Sequence, residues 1–515
     1  MTKYIFFFFT FLCFSINIYS QSVGITDFMR LNPYSTQNNP AYFLPYNGYV
    51  GIPAIANANF NCYNSSFIFR KLVKTDRVGN PTKITLNRFV KSLAKNNWLN
   101  MGFDTELLGF GFRVDNLFFS VGYRLKMEEY CSYSKDLFVF LLKGNLAQDK
   151  NKNYLYTKSS PAILRIEPNI NMYQELSLSV QTQITKRLYI GARPKLLFGL
   201  LNLKTNSCKA KLYTDPADYT TYGNYEVSVN MASVIPFYTK KNNGDIDVDV
   251  ASLLDFKIHN IGACFSKNLG FAIDLGAVYR VDQQIRVSAS ITDIGFIKWR
   301  GTPLNLSVKS LEEGNNFEFA GFTEEQITNF FQNEINKNLD SIVHNIVHDN
   351  VIWSEIAPYK SMLTAKVMAD CYFDLTPSNR FILQCKGFII GKSLLPQLTL
   401  AYNGTFFNLI DVVCSYSIMK KSYTNLGLGL GLRLGPVHLY MGADNILTAI
   451  NVLNSSKFIH DDSIKIWKLA AANVSNSSKI NVTLGLLVDL PISNKVKEAE
   501  LKYLFKKTSK KGTTD

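Results

Sequence analysis

Long runs in which apolar and polar residues alternate constrain the fold of this chain more than any other feature. From Leu117 to Met127 every odd position is apolar, and most even positions carry Ser, Gly, Arg or Lys. The same alternation recurs over Met172–Ile184, Phe271–Tyr279 and Ile285–Ile291. A period of two residues places successive side chains on opposite faces of a sheet. These segments are therefore predicted to be β-strands with one apolar and one polar face.

The length of the runs distinguishes between two kinds of all-β protein. Strands of soluble β-sandwiches typically have about five or six residues, whereas a tilted strand needs about 9 to 11 residues to cross a bilayer. Runs in this chain reach 11 to 13 residues. After Ser20 the sequence contains no stretch of 18 consecutive apolar residues that could form a transmembrane helix. We therefore predict an all-β fold: a single transmembrane antiparallel β-barrel of about 14 strands with helical inserts.

The aromatic residues and the remaining candidate strands fit the same fold. The chain has 27 Tyr and 37 Phe, many of them at the ends of runs, where a membrane barrel has its interfacial girdles. Single-chain bacterial barrels have even strand numbers, so 12 and 16 strands stay open as alternatives to 14. The further candidate strands are Ala58–Arg70, Asp104–Val114, Leu188–Leu203, Asn260–Lys267, Leu363–Asp374, Arg380–Ile390, Pro396–Gly404, Asn408–Met419, Asn425–Leu434, Pro436–Asp444 and Asn481–Leu490.

Two segments depart from the strand pattern and are predicted as helical inserts. Residues 81–98 carry apolar residues at helical spacing. Residues 323–348 begin with Thr323 and Gln326 at the spacing of a capping box and continue with one apolar stripe. Such a stripe must be buried against the barrel rim, in the lumen or against a protein partner.

The barrel wall is predicted to cover residues 56–490, and the segments before and after it are not part of the wall. Residues 1–20 combine Lys3, an apolar run and the small residue Ser20, which is the order of a secretory signal peptide. Residues 21–55 form an N-terminal segment, and residues 491–515 form a basic tail. The formal net charge of +15 could attract nucleic acid or anionic lipid. Export argues against nucleic acid, and outer-membrane lipid is the expected partner.

The sequence contains no constellation of residues that indicates catalysis, a metal or a cofactor. His344 and His348 have a spacing that a metal could use, but Asn345 stands where a zinc protease has its Glu base. The glycines of Gly427–Gly431 lie in a strand-like run with no helix after it, so they do not indicate a phosphate loop. We therefore predict that the protein is not an enzyme.

The cysteines give little information about the fold. They contain no CxxC pair and no ligand-like spacing. Cys371 and Cys385 flank a predicted turn, and whether they form a disulfide does not follow from their spacing.

Charged residues on the polar faces of the predicted strands are candidates for the barrel lumen. A buried charge needs a partner, so we expect these residues to pair with one another. They are Arg124, Arg193, Asp274, Arg280 and Arg286.

Several short motifs follow one another in an order that resembles a known family. Asn39-Pro40-Ala41-Tyr42 precedes Gly51-Ile52-Pro53, and Leu188–Arg193, Asp293–Trp299 and Leu439–Leu447 come later. This order is similar to that of a Bacteroidetes family of outer-membrane β-barrels of unknown function. That family is similar in turn to the long-chain fatty-acid transporter barrels and to barrel proteins of the type IX secretion and gliding machinery.

The resemblance implies two classes of function, both in the cell outer membrane. The transporter relatives hold an N-terminal segment in the lumen as a hatch, and an Asn-Pro-Ala motif occurs in it, so Asn39, Pro40 and Ala41 are hatch candidates. Such a barrel would be a passive transporter of small hydrophobic molecules, with an apolar internal cavity. The alternative is a non-transporting scaffold for a surface or type IX secretion and gliding assembly. That scaffold would have a filled lumen and would bind a protein partner through the 323–348 helix.

Overall fold

Strand pairing closes on itself in the structure, which is a computed structural model. It describes residues 25–30, 32–44, 47–65, 73–75, 81–84, 90–215, 217, 220–240, 246–248, 261–309, 314–315, 352–376, 378–390, 393–407, 409–419, 422–444 and 479–490. The predicted signal peptide, the predicted 323–348 helix and the basic tail lie outside the described residues.

Strands dominate the described residues. In chain order they are β1 Gly48–Gly51, β2 Ala58–Asn64, β3 Val73–Thr75, β4 Pro81–Ile84, β5 Asn96–Val114, β6 Leu117–Ser134, β7 Ala162–Gln183, β8 Leu188–Thr214, β9 Thr221–Ser233, β10 Tyr238–Lys240, β11 Ile246–Val248, β12 Leu269–Arg280, β13 Ile285–Trp299, β14 Leu304–Lys309, β15 Gly314–Asn315, β16 Ile352–Glu355, β17 Tyr359–Met362, β18 Ala365–Thr376, β19 Asn379–Ile390, β20 Ser393–Phe406, β21 Ile410–Met419, β22 Ser422–Leu434, β23 Val437–Asp444 and β24 Lys479–Leu490. Two α-helices, α1 Lys135–Lys143 and α2 Ile261–Ser266, and two 3₁₀ helices, Ile25–Phe28 and Pro33–Gln37, complete the set.

Fourteen strand positions form the barrel wall. β1 and β2 share the first position, because both pair with β24 on one side and with β5 on the other. The wall continues through β5 to β8, then β12 and β13, and then β18 to β24, and each strand is antiparallel to the next. The prediction of an all-β antiparallel barrel with 14 strands is confirmed.

The outside of the wall is apolar, as the alternation predicts for a surface in contact with lipid. Leu178 on β7 and Leu400 on β20 are about half exposed, while the polar residues between the outward positions point into the barrel and are buried. Other exposed apolar side chains on the wall are Leu108, Phe112, Leu196, Phe271, Leu275, Val367, Leu383, Leu398, Ile418, Leu430, Met441 and Leu484.

The two ends of the barrel differ. At one end, called the turn end below, hairpins of two to four residues join β5 to β6, β7 to β8, β12 to β13, β18 to β19, β20 to β21 and β22 to β23. The longer connection of residues 135–161, between β6 and β7, lies at the other end, called the loop end.

One side of the wall rises above the rest at the loop end. Residues of β8 up to Phe198 pair with β12, whereas those from Leu201 onward pair with β9. β9 pairs in turn with β14, and β14 pairs with β16. A one-residue register shift at Leu200 accompanies this change of partner. We call this extension of β7, β8, β9, β14 and β16 the tall sheet.

Two helices and a hairpin lie near the tall sheet. The Ser134 side chain caps α1 by accepting a hydrogen bond from the Leu137 N–H (3.3 Å), and α1 contacts β7. The hairpin of β10 and β11 places Phe237 against Leu203 and Leu304. No helix in the described part of the chain is long and apolar enough to cross a membrane.

Two predicted segments differ from the structure. Asn260–Lys267, predicted as a strand, contains α2, because its apolar residues also fit one helix face and Phe265 packs on the rings of Tyr123 and Phe198. Residues 81–98, predicted as a helix, contain β4, a helical stretch at residues 90–92 and the start of β5. β4 forms because it pairs with β3, a contact that helical spacing within one segment does not reveal.

The register also decides the question of the disulfide. Cys371 lies opposite Leu383, and Cys385 lies opposite Ala369. Both thiols are free and exposed on the outer surface. A bridge would need a shift of two residues between β18 and β19.

Candidate functional site

Residues 25–30 and 32–44, together called the N-terminal segment from here on, lie inside the barrel. Asn32 begins the second 3₁₀ helix, and its side chain accepts a hydrogen bond from the Tyr34 N–H (3.0 Å). Pro33 follows at the first helical position, where the missing N–H costs nothing. Most of this helix is buried, and the first 3₁₀ helix contacts β20 to β23. The segment therefore occupies much of the lumen.

The Asn39-Pro40-Ala41 motif packs against the wall near the turn end. Asn39 is fully buried; its Oδ1 accepts from the Ala41 N–H (2.9 Å), and its Nδ2 donates to the Ala289 carbonyl (3.3 Å). The Gln181 Nε2 donates to the Ala41 carbonyl (2.8 Å). Asn39 thus fixes the turn of the motif and also binds it to β13.

Glycines in the wall make room for this motif. A Cβ atom on Gly191 would lie 2.2 Å from the Pro40 carbonyl oxygen, and one on Gly276 would lie 2.0 Å from the Asn39 Oδ1. Both approaches are far closer than van der Waals contact. Glycine at these two positions is therefore required for the close approach of the segment to β8 and β12.

Arg193 joins the N-terminal segment to the wall. Its Nη2 donates to the Thr36 carbonyl (2.7 Å), and its Nη1 lies 3.2 Å from the Asp274 Oδ2. Both side chains are buried. The structure therefore brings together two of the sequence-predicted lumen residues, Arg193 and Asp274, directly beside the segment.

The other three predicted lumen residues are separate from this pair. Arg124 forms an ion pair with Asp104 (2.6 Å). Arg286 forms one with Asp374 (2.7 Å) at the turn end. Arg280 is half-buried and lies opposite Arg286 in the register of β12 and β13.

A buried ionic network, which the alternation alone does not predict, lies between the segment and the loop end. Its centre is Asp293, which accepts from Lys195 (2.6 Å) and Lys366 (2.9 Å) and lies 3.6 Å from Lys126. Glu175 pairs with Lys126 (2.7 Å). These charges cross-link five strands of the wall, which are β6, β7, β8, β13 and β18.

Asp293 points inward because of a β-bulge. Alternation along β13 puts Ser290 and Thr292 on the inner face and assigns Asp293 to the outer face. The register between β12 and β13 shifts at this point, so Thr292 and Asp293 are both buried. Asp293 has φ of 60°, and its N–H donates to the Asp274 Oδ1 (2.7 Å). The only sequence signal was its position at the start of the Asp293–Trp299 motif.

A cavity of about 110 Å³ lies beside this network. The transport interpretation predicts an apolar cavity, whereas most side chains around this one are polar or charged. They include Asp27, Asn38, Asn57, Asn59, Asn61, Asn100, Asp104, Arg124, Lys126, Lys195, Asp293 and Lys366. Within the described residues, no group of three or more His, Cys, Asp or Glu side chains is placed to hold a metal ion.

The opposite side of the lumen carries an apolar surface, flanked by polar inward residues of the same strands such as Gln384 and Asn403. Ile25, Phe28 and Met29 of the segment belong to one buried cluster with wall residues of β19 to β21. Glycines of β22 lie beside them, so that a Cβ on Gly429 would be 2.9 Å from the Met29 Cε. We call this wall surface the apolar strip; it comprises Ile382, Ala401, Val413, Gly427, Gly429 and Gly431.

Asp27 lies between the two sides of the lumen. Burial raises the pKa of its carboxyl group to about 6, although Lys386 and a hydrogen bond from Asn38 act to lower it. Lys386 also donates to the Asn38 Oδ1 (2.9 Å). The segment therefore carries one acidic group whose charge changes within the physiological range.

Residues 40–444 match the model of a family of unknown function (DUF5723). The match begins within the Asn39-Pro40-Ala41 motif and ends with β23. None of the curated proteins matches the sequence.

Solved structures of similar fold are barrels with very low sequence identity. The Pseudomonas putida toluene transporter TodX is 8% identical, with a TM-score of 0.39 over 92% of this chain and 99% of its own. The Ralstonia pickettii toluene transporter TbuX is 9% identical, with a TM-score of 0.39 over 92% of this chain and 100% of its own. A Pseudomonas aeruginosa FadL homologue is 8% identical, with a TM-score of 0.38 over 90% and 95% of the two chains.

Proposed function

Since the chain belongs to DUF5723, a family without an assigned function, we propose its function from the lumen: an outer-membrane barrel for passive transport of small hydrophobic molecules. The N-terminal segment is its hatch in this proposal, with Asn39, Pro40 and Ala41 as the fixed part. The first 3₁₀ helix is the part that moves.

The barrel itself supports the proposed location. A closed wall leaves no strand edge unpaired, which is the condition for strands to cross hydrocarbon. The exposed apolar side chains form the surface that would contact lipid. In outer-membrane barrels the short turns face the periplasm and the longer loops face outside. The turn end is accordingly periplasmic.

The observation that carries the transport proposal is the apolar strip. It is covered by Ile25, Phe28 and Met29, which belong to the segment and not to the wall. Movement of this short helix would uncover the apolar strip across β19 to β22. The ionic network on the other side would stay in place, since it joins wall strands to one another.

Uptake of a hydrophobic probe tests the proposal. Gram-negative cells that produce the full chain would receive N-phenyl-1-naphthylamine, and the rise of its fluorescence would be followed. The Phe28→Ala, Met29→Ala double variant removes most of the cover from the apolar strip, so we expect uptake several-fold faster than with the unchanged protein. Phe237→Ala is the matched control, because Phe237 is equally buried but lies on the outside of the tall sheet. Equal uptake with the double variant and this control would contradict the proposal.

A second candidate function rests on the rest of the lumen. The ionic network occupies the side of the lumen that a wide channel would leave open, and the cavity beside it is small and polar. A filled lumen of this kind suits a scaffold in a surface or secretion assembly. This candidate predicts that neither variant changes probe uptake. It also predicts a stable complex that keeps its size in native electrophoresis after extraction with detergent.

A further inference from the structure

Lys298 and Lys360 lie together on the outer surface of the wall, directly opposite each other in the register of β13 and β17. Trp299 is fully buried on the inner face, so its neighbour Lys298 points outward. Arg300 follows directly after the end of β13. Lys360 and Arg300 are exposed, and Lys298 is half-buried. We call these three residues the basic patch.

The basic patch lies at the loop-end border of the apolar outer surface. Along β13, Val287 and Ile294 are exposed apolar residues, and Phe296 is the last outward apolar residue before Lys298. A tilted strand crosses hydrocarbon in about 9 to 11 residues. The stretch from Val287 to Phe296 is therefore long enough to cross the hydrocarbon of the membrane. Lys298 comes after it, at the level of the lipid headgroups.

The residues of β17, which pairs with β13, also place the patch at the border between the hydrocarbon and the lipid headgroups. Met362 of β17 has 68% of its surface exposed, and the next outward residue toward the loop end is Lys360. The Lys360 Nζ lies 4.3 Å from the centre of the Phe296 ring. The patch therefore adjoins apolar side chains on its membrane side.

No carboxylate compensates these charges in the part of the chain that the structure describes. Glu355 on β16, the outward acidic residue of the neighbouring strand pair, is engaged by Lys240 (2.8 Å) and Tyr238 (3.1 Å). Like charges that face each other across two strands destabilise a sheet. An external anion would remove this cost.

We propose that Lys298, Arg300 and Lys360 bind the phosphate groups of a lipid headgroup in the outer leaflet. Arginine and lysine form strong charge-assisted hydrogen bonds with phosphate. The exposed side chains of Phe271, Ile294 and Met362 lie on the membrane side, where acyl chains of the same lipid would pack. This assignment rests on the location of the barrel in the outer membrane and is independent of transport.

Lipid binding to the full chain in detergent micelles tests the assignment. The probe is lipid A with two phosphates, measured by native mass spectrometry at several concentrations. We expect the Lys298→Gln, Lys360→Gln double variant to bind at least about tenfold more weakly. The matched control is Lys186→Gln, Arg187→Gln, which removes two exposed cations from the turn end. It should bind as the unchanged protein does.

Further arms identify the group that is recognised. Enzymatically dephosphorylated lipid A should bind the unchanged protein as weakly as the double variant binds intact lipid A. Inorganic phosphate at the same concentration should not displace the lipid, because it lacks the acyl chains. The assignment is overturned if the double variant binds normally, if the control loses as much, or if inorganic phosphate competes equally. An unchanged melting temperature shows that the double variant is folded, and probe uptake should be unaffected.

Discussion

Asp293 shows how a single residue can combine backbone and charge requirements. Its φ of 60° is a conformation that Asp and Asn adopt more readily than most residues. The same residue is the shared partner of Lys195, Lys366 and Lys126. Its position in the bulge is what turns its carboxylate toward these lysines. A sequence pattern with a period of two cannot contain this information.

Asp293→Asn separates the two requirements, because Asn tolerates the backbone conformation but carries no charge. The buried ammonium groups of Lys126 and Lys195 and the partly exposed one of Lys366 lose their shared carboxylate. We expect a loss of about 3–5 kcal/mol in the free energy of unfolding. The measurement is urea unfolding of the refolded barrel in detergent. Asp115→Asn is the control, since Asp115 also has a positive φ (50°) but lies in an exposed turn; it should change the free energy by less than about 0.5 kcal/mol. A loss of unfolding free energy as small as that of the control would show that the charge of Asp293 does not stabilise the barrel.

Asp27 makes the docking of the N-terminal segment in the lumen weaker as the pH rises. Docking raises the pKa of its carboxyl group from the ordinary value of 3.8 to about 6. The docked state therefore binds the proton more tightly than the undocked state. Docking should be firmest below pH 4, weaken as the pH rises to about 6, and stay constant above that.

Limited proteolysis at pH 5 and pH 7.5 measures this effect. The segment of the unchanged protein should be cleaved several-fold faster at pH 7.5, after correction for the activity of the protease. Asp27→Asn should remove the difference and keep the segment docked at both values. Asp149→Asn is the control, because Asp149 is exposed and backbone hydrogen bonds, first from Asn153 and then from Asn151, lower its pKa. A pH difference that persists in Asp27→Asn would assign it to another group.

Strands could be predicted from the sequence where their partners follow in order, and less well elsewhere. Alternation depends only on which face of a strand meets lipid, so it identified β6, β7, β12 and β13. The tall sheet depends on the exchange of partners on β8 at Leu200, between segments far apart in sequence. The short apolar run at α2 fits the period of a strand as well as that of a helix. The contacts of Phe265 with Tyr123 and Phe198 favour the helix. The polar lining of the cavity follows from this same long-range packing.

The close packing of the segment against β8 predicts a specific defect. Gly191→Ala places a Cβ 2.2 Å from the Pro40 carbonyl oxygen, and the backbone of the motif must shift. We expect a loss of about 1–3 kcal/mol in the docking of the segment, as for overpacked cores. Faster proteolysis within residues 25–44 would report it, while the wall stays resistant. Gly262→Ala is the control, since a Cβ there meets nothing within 4 Å.

The barrel as a unit has a lumen of two kinds, and this division explains why two functions compete. One side is held together by ion pairs between wall strands, and the other carries the apolar strip, which the N-terminal segment covers. A gate requires a rigid wall, which the ion pairs supply, and a part that moves, which is the N-terminal segment in the transport proposal. A scaffold requires only the rigid wall. Whether the apolar strip becomes uncovered therefore distinguishes between the two functions.

Membrane insertion of the barrel predicts the reactivity of three native thiols. Cys371, Cys385 and Cys414 lie on the outward faces of β18, β19 and β21, with apolar neighbours such as Leu383. Each thiol is tested in a variant whose other cysteines are replaced by Ser. In intact outer membranes a hydrophilic maleimide should label none of the three, because a polar reagent does not enter the hydrocarbon around these side chains.

The same reagent should react readily once the protein is unfolded in detergent. Lys150→Cys, in an exposed loop at the loop end, serves as the control and should be labelled in intact membranes. Rapid labelling of the three wall thiols at the rate of the control would mean that the apolar face of the barrel meets water. That result would contradict insertion of the wall in the membrane, on which the lipid assignment of the basic patch depends.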